Sequence, residues 1–287
     1  MITSAKEILT KAREGGYAVG AFNTINMEMT QAIIFAARDL RSPVIVQISE
    51  KTLDYTGGRN IFHLVKNTAE FYAPEVPVGI HLDHGRSFEI IQRAVEIGFT
   101  SVMYDGSDKI YADNLAMTKK IVEYCHEKGV VVQAELGSVP HIGEVGSGKM
   151  DWDKYMTDPA QAEGFVRDTG IDTLAVAIGN SHGFMQERNE PDYARLEMIH
   201  KNINIPLILH GASDWEGGRL AEVMKRGINC FNINTALKVS FINNLLNSLK
   251  NQGDVSLDLC SLLGSARNAV QNIVKEKIKL FGSDGKA

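Results

Sequence analysis

The chain has 287 residues, of which 44% are hydrophobic and 23% charged, and it carries a formal net charge of −5. That composition supplies a large apolar core, and without a long basic block it argues against nucleic acid or an anionic membrane as the main partner. No apolar run approaches the roughly 18 residues of a membrane helix, the N-terminus lacks a signal-peptide core, and Cys125, Cys230 and Cys260 stand in no metal or redox spacing, which together fit a reduced, cytoplasmic protein.

Ser4 and Glu7 form a capping-box pattern that predicts a first helix. Short apolar runs suited to strands buried on both faces then alternate with amphipathic helical stretches. The predicted strands are Val19–Asn23, Val44–Ser49, Val78–Asp83, Ser101–Asp105, Val130–Glu135, Thr173–Ile178, Leu207–His210 and Cys230–Ile233. Between them the spacing predicts helices such as Met29–Leu40, Phe88–Ile97, Asn114–Lys128 and Ala160–Thr169, several ending near glycine, as at Gly98, Gly129, Gly170 and Gly227. A helical tail is expected over about Ala266–Leu280. Two connections read as long loops, Glu50–Gly58 and Leu136–Gly148, and the glycines of the second suit a lid. Eight β–α alternations predict a parallel sheet closed as a (β/α)8 TIM barrel, a single domain over residues 1–287 with an N-terminal helix and a C-terminal helical tail.

In such barrels the active site lies where the strands end. His84, His182 and His210 fall just beyond the third, sixth and seventh strands, each followed by glycine. Three imidazoles with one open position is the ligand set of catalytic zinc. Asp83 precedes His84 and is placed either to move a proton or to orient an imidazole. Asp105 and Glu135 end the next two strands; on chemistry alone they can hold a second divalent ion, or hydrogen-bond His84 or one another. His81 shares a strand face with Asp83 and can orient a ligand. His63, His126 and His200 fall in helical stretches, and His141 lies in the lid without an assigned role.

The segments His182-Gly183, Gly211-Ala212-Ser213 and Asn232-Ile233-Asn234-Thr235 come late in the barrel, where backbone N–H groups often bind phosphate at a helix start. The competing reading is plain βα turns with ordinary helix caps.

Taken together, Gly20-Ala21-Phe22-Asn23, Ser49-Glu50, His81-Leu82-Asp83-His84-Gly85, Asp105-Gly106-Ser107, Ala134-Glu135-Leu136-Gly137, Ser181-His182-Gly183, Leu209-His210-Gly211-Ala212-Ser213, Asn232-Ile233-Asn234-Thr235 and Lys279-Leu280-Phe281-Gly282 resemble the zinc-dependent class II fructose/tagatose-bisphosphate aldolase family, nearly end to end. The resemblance implies zinc on His84, His182 and His210, with Asp83 exchanging a proton with the substrate C4 hydroxyl. It implies a second cation, divalent or monovalent, at Asp105 and Glu135. It also implies dihydroxyacetone phosphate held by Asn23, Ser49, Gly183, Gly211, Ala212, Ser213, Asn232, Ile233, Asn234 and Thr235. The reaction would be reversible cleavage of a fructose- or tagatose-type 1,6-bisphosphate to dihydroxyacetone phosphate and glyceraldehyde 3-phosphate, as in glycolysis, by a homodimer or homotetramer. No lysine sits at a strand end to form a Schiff base.

The chain departs from the family where the distal end of the substrate would lie. Ala236 replaces an acid, Asp258-Leu259-Cys260 replaces an Asp-Pro-Arg, Phe184-Met185-Gln186 lacks a common lysine, and Glu144 is a loose substitute for the family's lid acids. Losing a guanidinium removes a bidentate phosphate partner. Two variants follow: the same chemistry on a ketose 1-phosphate with another distal group, or a non-catalytic sugar-phosphate binder. A barrel metallohydrolase is disfavoured, because the first strand ends in Phe22-Asn23 rather than His-x-His.

Overall fold

Eight parallel strands close on themselves in chain order, β1 (Val19–Asn23), β2 (Val44–Ser49), β3 (Val78–Gly85), β4 (Ser101–Tyr104), β5 (Val131–Leu136), β6 (Thr173–Val176), β7 (Leu207–Leu209) and β8 (Ile228–Ile233), with β8 pairing back to β1. This is the (β/α)8 barrel the alternation predicts. The structure is a computed structural model and describes residues 1–140, 151–183, 190–251 and 258–287. His141, Glu144, most of the lid and Phe184-Met185-Gln186 lie outside the described residues. Among the described residues, no helix is long and apolar enough to cross a membrane.

The helices are α1 (Ala5–Gly15), α2 (Met27–Leu40), α3 (Glu50–Thr56), α4 (Gly58–Tyr72), α5 (Phe88–Ile97), α6 (Tyr111–His126), α7 (Pro159–Thr169), α8 (Tyr193–Asn202), α9 (Gly217–Lys225), α10 (Thr235–Asn251) and α11 (Leu259–Phe281). Their ends follow local chemistry. Ser4, Asn26, Ser87 and Asp158 accept hydrogen bonds from orphan backbone N–H groups of the first turns, each cap worth about 1 kcal/mol. Gly98 and Gly170 take left-handed conformations that end α5 and α7. The capping box is only half made: Ser4 caps Lys6, while Glu7 pairs with Lys11.

Strand side chains alternate, and the two faces have different fates. Outward residues such as Phe22, Val46, Ile80, Val132, Leu209 and Ile233 pack against the helices in the main core. Inward residues form tiers. At the end where the strands begin, Ala21, Ile45, Ala175, Ile208 and Cys230 meet Ala5, Ile8, Leu9 and Ala12, so α1 plugs that end of the barrel. The tail helix α11 lies back over α2 and α10, and Phe281 stacks on Phe231 with centroids 4.6 Å apart.

Three expectations are corrected. Glu50–Gly58 is not a loop: Ser49 accepts from Thr52 N at 3.3 Å and opens α3. The tail helix starts at Leu259, capped by Asp258, rather than at Ala266. Strand β3 runs on to Gly85, with consequences for the site.

Candidate active site

Period two carries Asn23, Ser49, Asp83, Glu135 and Asn232 inward as their strands end, and these residues line one cavity of about 820 Å³ at that rim. Asp105 and His210 lie one residue beyond β4 and β7. His84 breaks the pattern. As the neighbour of Asp83 on a regular strand it would point away from the cavity. Instead the β3–β4 register steps from Leu82↔Val102 to Gly85↔Tyr104, three residues against two, and His84 adopts φ +52°. This bulge turns both Asp83 and His84 inward. A left-handed conformation at a residue with a Cβ costs about 1–3 kcal/mol and is typically kept at functional sites. The next residue has little room for a side chain: a Cβ on Gly85 would lie 2.9 Å from Leu82 Cδ2 and 3.0 Å from the Met103 carbonyl oxygen.

Closure of the barrel brings the three histidines together. Ring centroids are 4.8 Å apart for His84 and His210, 5.4 Å for His84 and His182, and 6.0 Å for His182 and His210. One nitrogen of each lies within 4.8 Å of the others, and His84, Asp105 and Glu135 form a second such group. Gly211 lets the loops after β6 and β7 touch. It sits at φ +64°, and a Cβ there would overlap the Ser181 backbone. Asn180 then fixes the His210 backbone, donating to its carbonyl at 3.0 Å.

Asp83 is 5% exposed and accepts from Asn23 Nδ2 at 2.7 Å and Asn232 Nδ2 at 3.4 Å. His84 Nδ1 meets Asp105 Oδ2 at 2.8 Å, and Asp105 Oδ1 accepts from the Ser107 backbone and hydroxyl. Burial pulls the His84 imidazole down, but Asp83, Asp105 and Glu135 outweigh it and raise it to about 9. Burial and Asp105 push Glu135 up to about 8. Burial opposes ionisation of Asp105, but His84 and Ser107 hold its carboxyl well below the carboxylate range. Burial lowers His210 well below the ordinary imidazole value. His210 Nδ1 and Glu135 Oε2 are 3.3 Å apart yet neither has a hydrogen-bond partner. Two buried, unsatisfied donor atoms beside converging imidazoles fit a divalent cation, which would satisfy them.

Of the phosphate candidates, Gly183, Gly211, Ser213, Asn232, Asn234 and Thr235 line the cavity. Asn234 N donates to Ser213 Oγ at 3.4 Å, tying the two turns together at the start of α10. Ala212 and Ile233 differ from these: their side chains are fully buried in the apolar layer against the helices and do not line the cavity, which leaves only their backbone to the phosphate turns. Ile233 follows inward Asn232, so alternation turns it outward. His81 also departs from expectation, since its Nδ1 pairs with Ser101 Oγ rather than with a ligand residue.

Some cavity residues were not apparent from the sequence. Lys51, Arg86 and Lys238 line the wall, and Lys238 is felt electrostatically by both Asp83 and Lys51. Lysines are therefore present in the site, but on helices α3 and α10. Lys238 lies three residues past Thr235, and a rule that first-turn residues of rim helices face the site would have found it. Gln133 and Asn232 both meet His210 Nε2, at 3.1 and 2.9 Å; no local pattern marks that role.

The family described as "Fructose-bisphosphate aldolase class-II" matches residues 3–286. A Helicobacter pylori protein named fructose-bisphosphate aldolase is 39% identical, with both chains covered completely. A Thermus caldophilus protein of the same name is 40% identical, also over both full chains. Among solved structures, the YdjI aldolase of Escherichia coli K12 superposes with TM-score 0.87 at 34% identity, covering 100% of each chain.

Proposed function

The chain belongs to the class II fructose-bisphosphate aldolase family and is a lyase, and we propose that it reversibly cleaves a ketose 1,6-bisphosphate of the fructose or tagatose type to dihydroxyacetone phosphate and glyceraldehyde 3-phosphate, with zinc on His84, His182 and His210. The observation that carries this reading is the convergence of His84, His182 and His210 to within ligand distance of one another, with Asp83 beside His84 on the wall of the cavity. When bound, zinc supplies Lewis-acid stabilisation of the charge that develops beside the C2 carbonyl as the C3–C4 bond breaks.

The protein's own groups do the rest. Asp83 takes the C4 hydroxyl proton on its carboxylate, which the Asn23 and Asn232 amides hold in place. Gly183, Gly211, Ser213 and the α10 start at Asn234 and Thr235 receive the phosphate of the dihydroxyacetone half on backbone N–H and hydroxyl groups. Asn23 and Ser49 bound the same half. Asp105 orients His84 through Nδ1. Glu135 and Asp105 would be available to a second cation.

Lys51 and Lys238 support an anionic distal group, supplying positive charge from this chain where the tail has Asp258-Leu259-Cys260 instead of an arginine. Self-association is supported by Val239, Ile242, Leu246 and Leu249, an exposed apolar stripe at helical spacing on α10.

The test is coupled detection of dihydroxyacetone phosphate release over a panel of ketose 1,6-bisphosphates and the matching 1-phosphates, with and without chelator. The bisphosphates should be preferred. Equal or better turnover of a 1-phosphate overturns the distal assignment, and activity surviving complete metal removal overturns the mechanism.

A further inference from the structure

Directly beneath the catalytic groups the barrel interior is polar. Gln47, His81 and Asn232 point to the axis and are 1%, 2% and 8% exposed. Each presents an atom without a hydrogen-bond partner: Gln47 Oε1, His81 Nε2 and Asn232 Oδ1. All three residues line one internal cavity of about 10 Å³ above the apolar tier. That is about the space one water-sized sphere needs, and buried waters typically make about three hydrogen bonds to such groups.

We propose that one water molecule sits on the barrel axis, bonded to Gln47 Oε1, His81 Nε2 and Asn232 Oδ1, and that through it His81 acts as a positioning residue for Asn232. The donor and acceptor count matches water. Ser101 Oγ lies at hydrogen-bond distance from His81 Nδ1. With the hydroxyl donating there, the imidazole proton is on Nε2 and points into the cavity. The Asn232 amide is oriented by its other end, since Nδ2 faces the Asp83 carboxylate, which can only accept. Its oxygen therefore faces the axis. A water accepts from His81 and donates to both amide oxygens, using one lone pair and both hydrogens. A cation is a poor occupant, because one of the three groups offers an N–H and the space admits no further ligands. Burial lowers the His81 imidazole to about 4, so the ring stays neutral with a single N–H to give.

The arrangement forms a chain from the floor of the site to its chemistry: Ser101, His81, water, Asn232, Asp83. Asn232 is the only member that touches both Asp83 and His210. The kinetic part of the inference rests on Asp83 exchanging the C4 proton; the structural part does not.

Two experiments test it. A high-resolution crystal structure of the protein should show a density peak at about 2.7–3.2 Å from all three atoms. Direct contact among the three side chains, or a dry cavity, overturns the proposal whatever the protein's activity. The variant His81→Phe should lower kcat for C3–C4 cleavage about tenfold, leave KM and metal affinity within about twofold, and spare solvent exchange of the C3 proton of dihydroxyacetone phosphate. His81→Gln, which can still donate into the cavity, should recover part of kcat and keeps the test open if the phenylalanine variant fails to fold. Unchanged kcat in a folded variant, or equal loss of cleavage and C3 exchange, overturns the positioning role even with the water in place.

Discussion

Gly211→Ala probes how closely the fold and the metal site are linked. Gly211 stands at φ +64°, and a Cβ there would meet the oxygen, carbon and nitrogen of the Ser181 backbone. The left-handed conformation alone costs an alanine about 1–2 kcal/mol. Backbone cannot rotate aside as a side chain can, so overpacking adds about 1–3 kcal/mol. The total is about 2–5 kcal/mol, and at about 2–4 °C per kcal/mol for a chain of more than 150 residues the melting midpoint should fall by at least ~4 °C. Relief of the overlap separates the loops carrying His182 and His210, so metal affinity should also fall, by about tenfold for each 1.4 kcal/mol lost there. Gly129→Ala is the control: it has φ +70° but nothing within 4 Å of an added Cβ, and so bears only the conformational cost. Thermal melts of metal-free protein and chelator-competition titrations with zinc read both quantities. If Gly211→Ala melts with Gly129→Ala and binds zinc as the parent does, the argument that Gly211 locks the two loops together is refuted.

Asp83→Ala should reduce kcat/KM by about 10²–10⁴ while zinc affinity changes little, measured by product release and chelator competition; a loss of zinc in proportion to activity would assign Asp83 to binding instead. In metal-free protein, His84 and Glu135 are both raised above their ordinary values, to about 9 and about 8. The folded state then holds more protons than the unfolded one, so stability should fall as pH rises from about 4.5 to 8 through Glu135 and from about 6.5 to 9 through His84. Urea midpoints in chelator at pH 6 and pH 8.5 check the sign, and a higher midpoint at pH 8.5 contradicts it. Zinc must displace the His84 proton, so its affinity should rise with pH over the same range. Lys51→Ala and Lys238→Ala should each lower kcat/KM on a 1,6-bisphosphate and spare the 1-phosphate; equal losses on both would remove the lysines from the distal end.

Much of the architecture was legible in the chain. Eight apolar runs with helices between them define strands and crossovers, because burial on both faces and helical amphipathicity leave distinct periods in the residues. The rim residues Asn23, Ser49, Asp83 and Glu135 could be placed inward by alternation alone, and the loops carrying His182 and His210 by their position after strands. Local signals compete elsewhere: Glu50–Gly58 has the composition of a loop, yet Ser49 caps it and most of it is helix.

Other features were fixed only by three-dimensional contact. The bulge that turns His84 inward depends on how β3 registers against β4, and no residue near it signals the extra step. Lys51 and Lys238 line one cavity with Asp83 because closure of the barrel brings the starts of α3 and α10 to the same rim. Gln133 and Asn232 meet one nitrogen of His210 from β5 and β8 for the same reason. Local sequence sets periodicity, capping and turn chemistry over a few residues. The histidine and carboxylate cluster, the orphaned polar atoms on the barrel axis and the charge around Asp83 arise between residues from different strands, and closure of the sheet determines which of them touch.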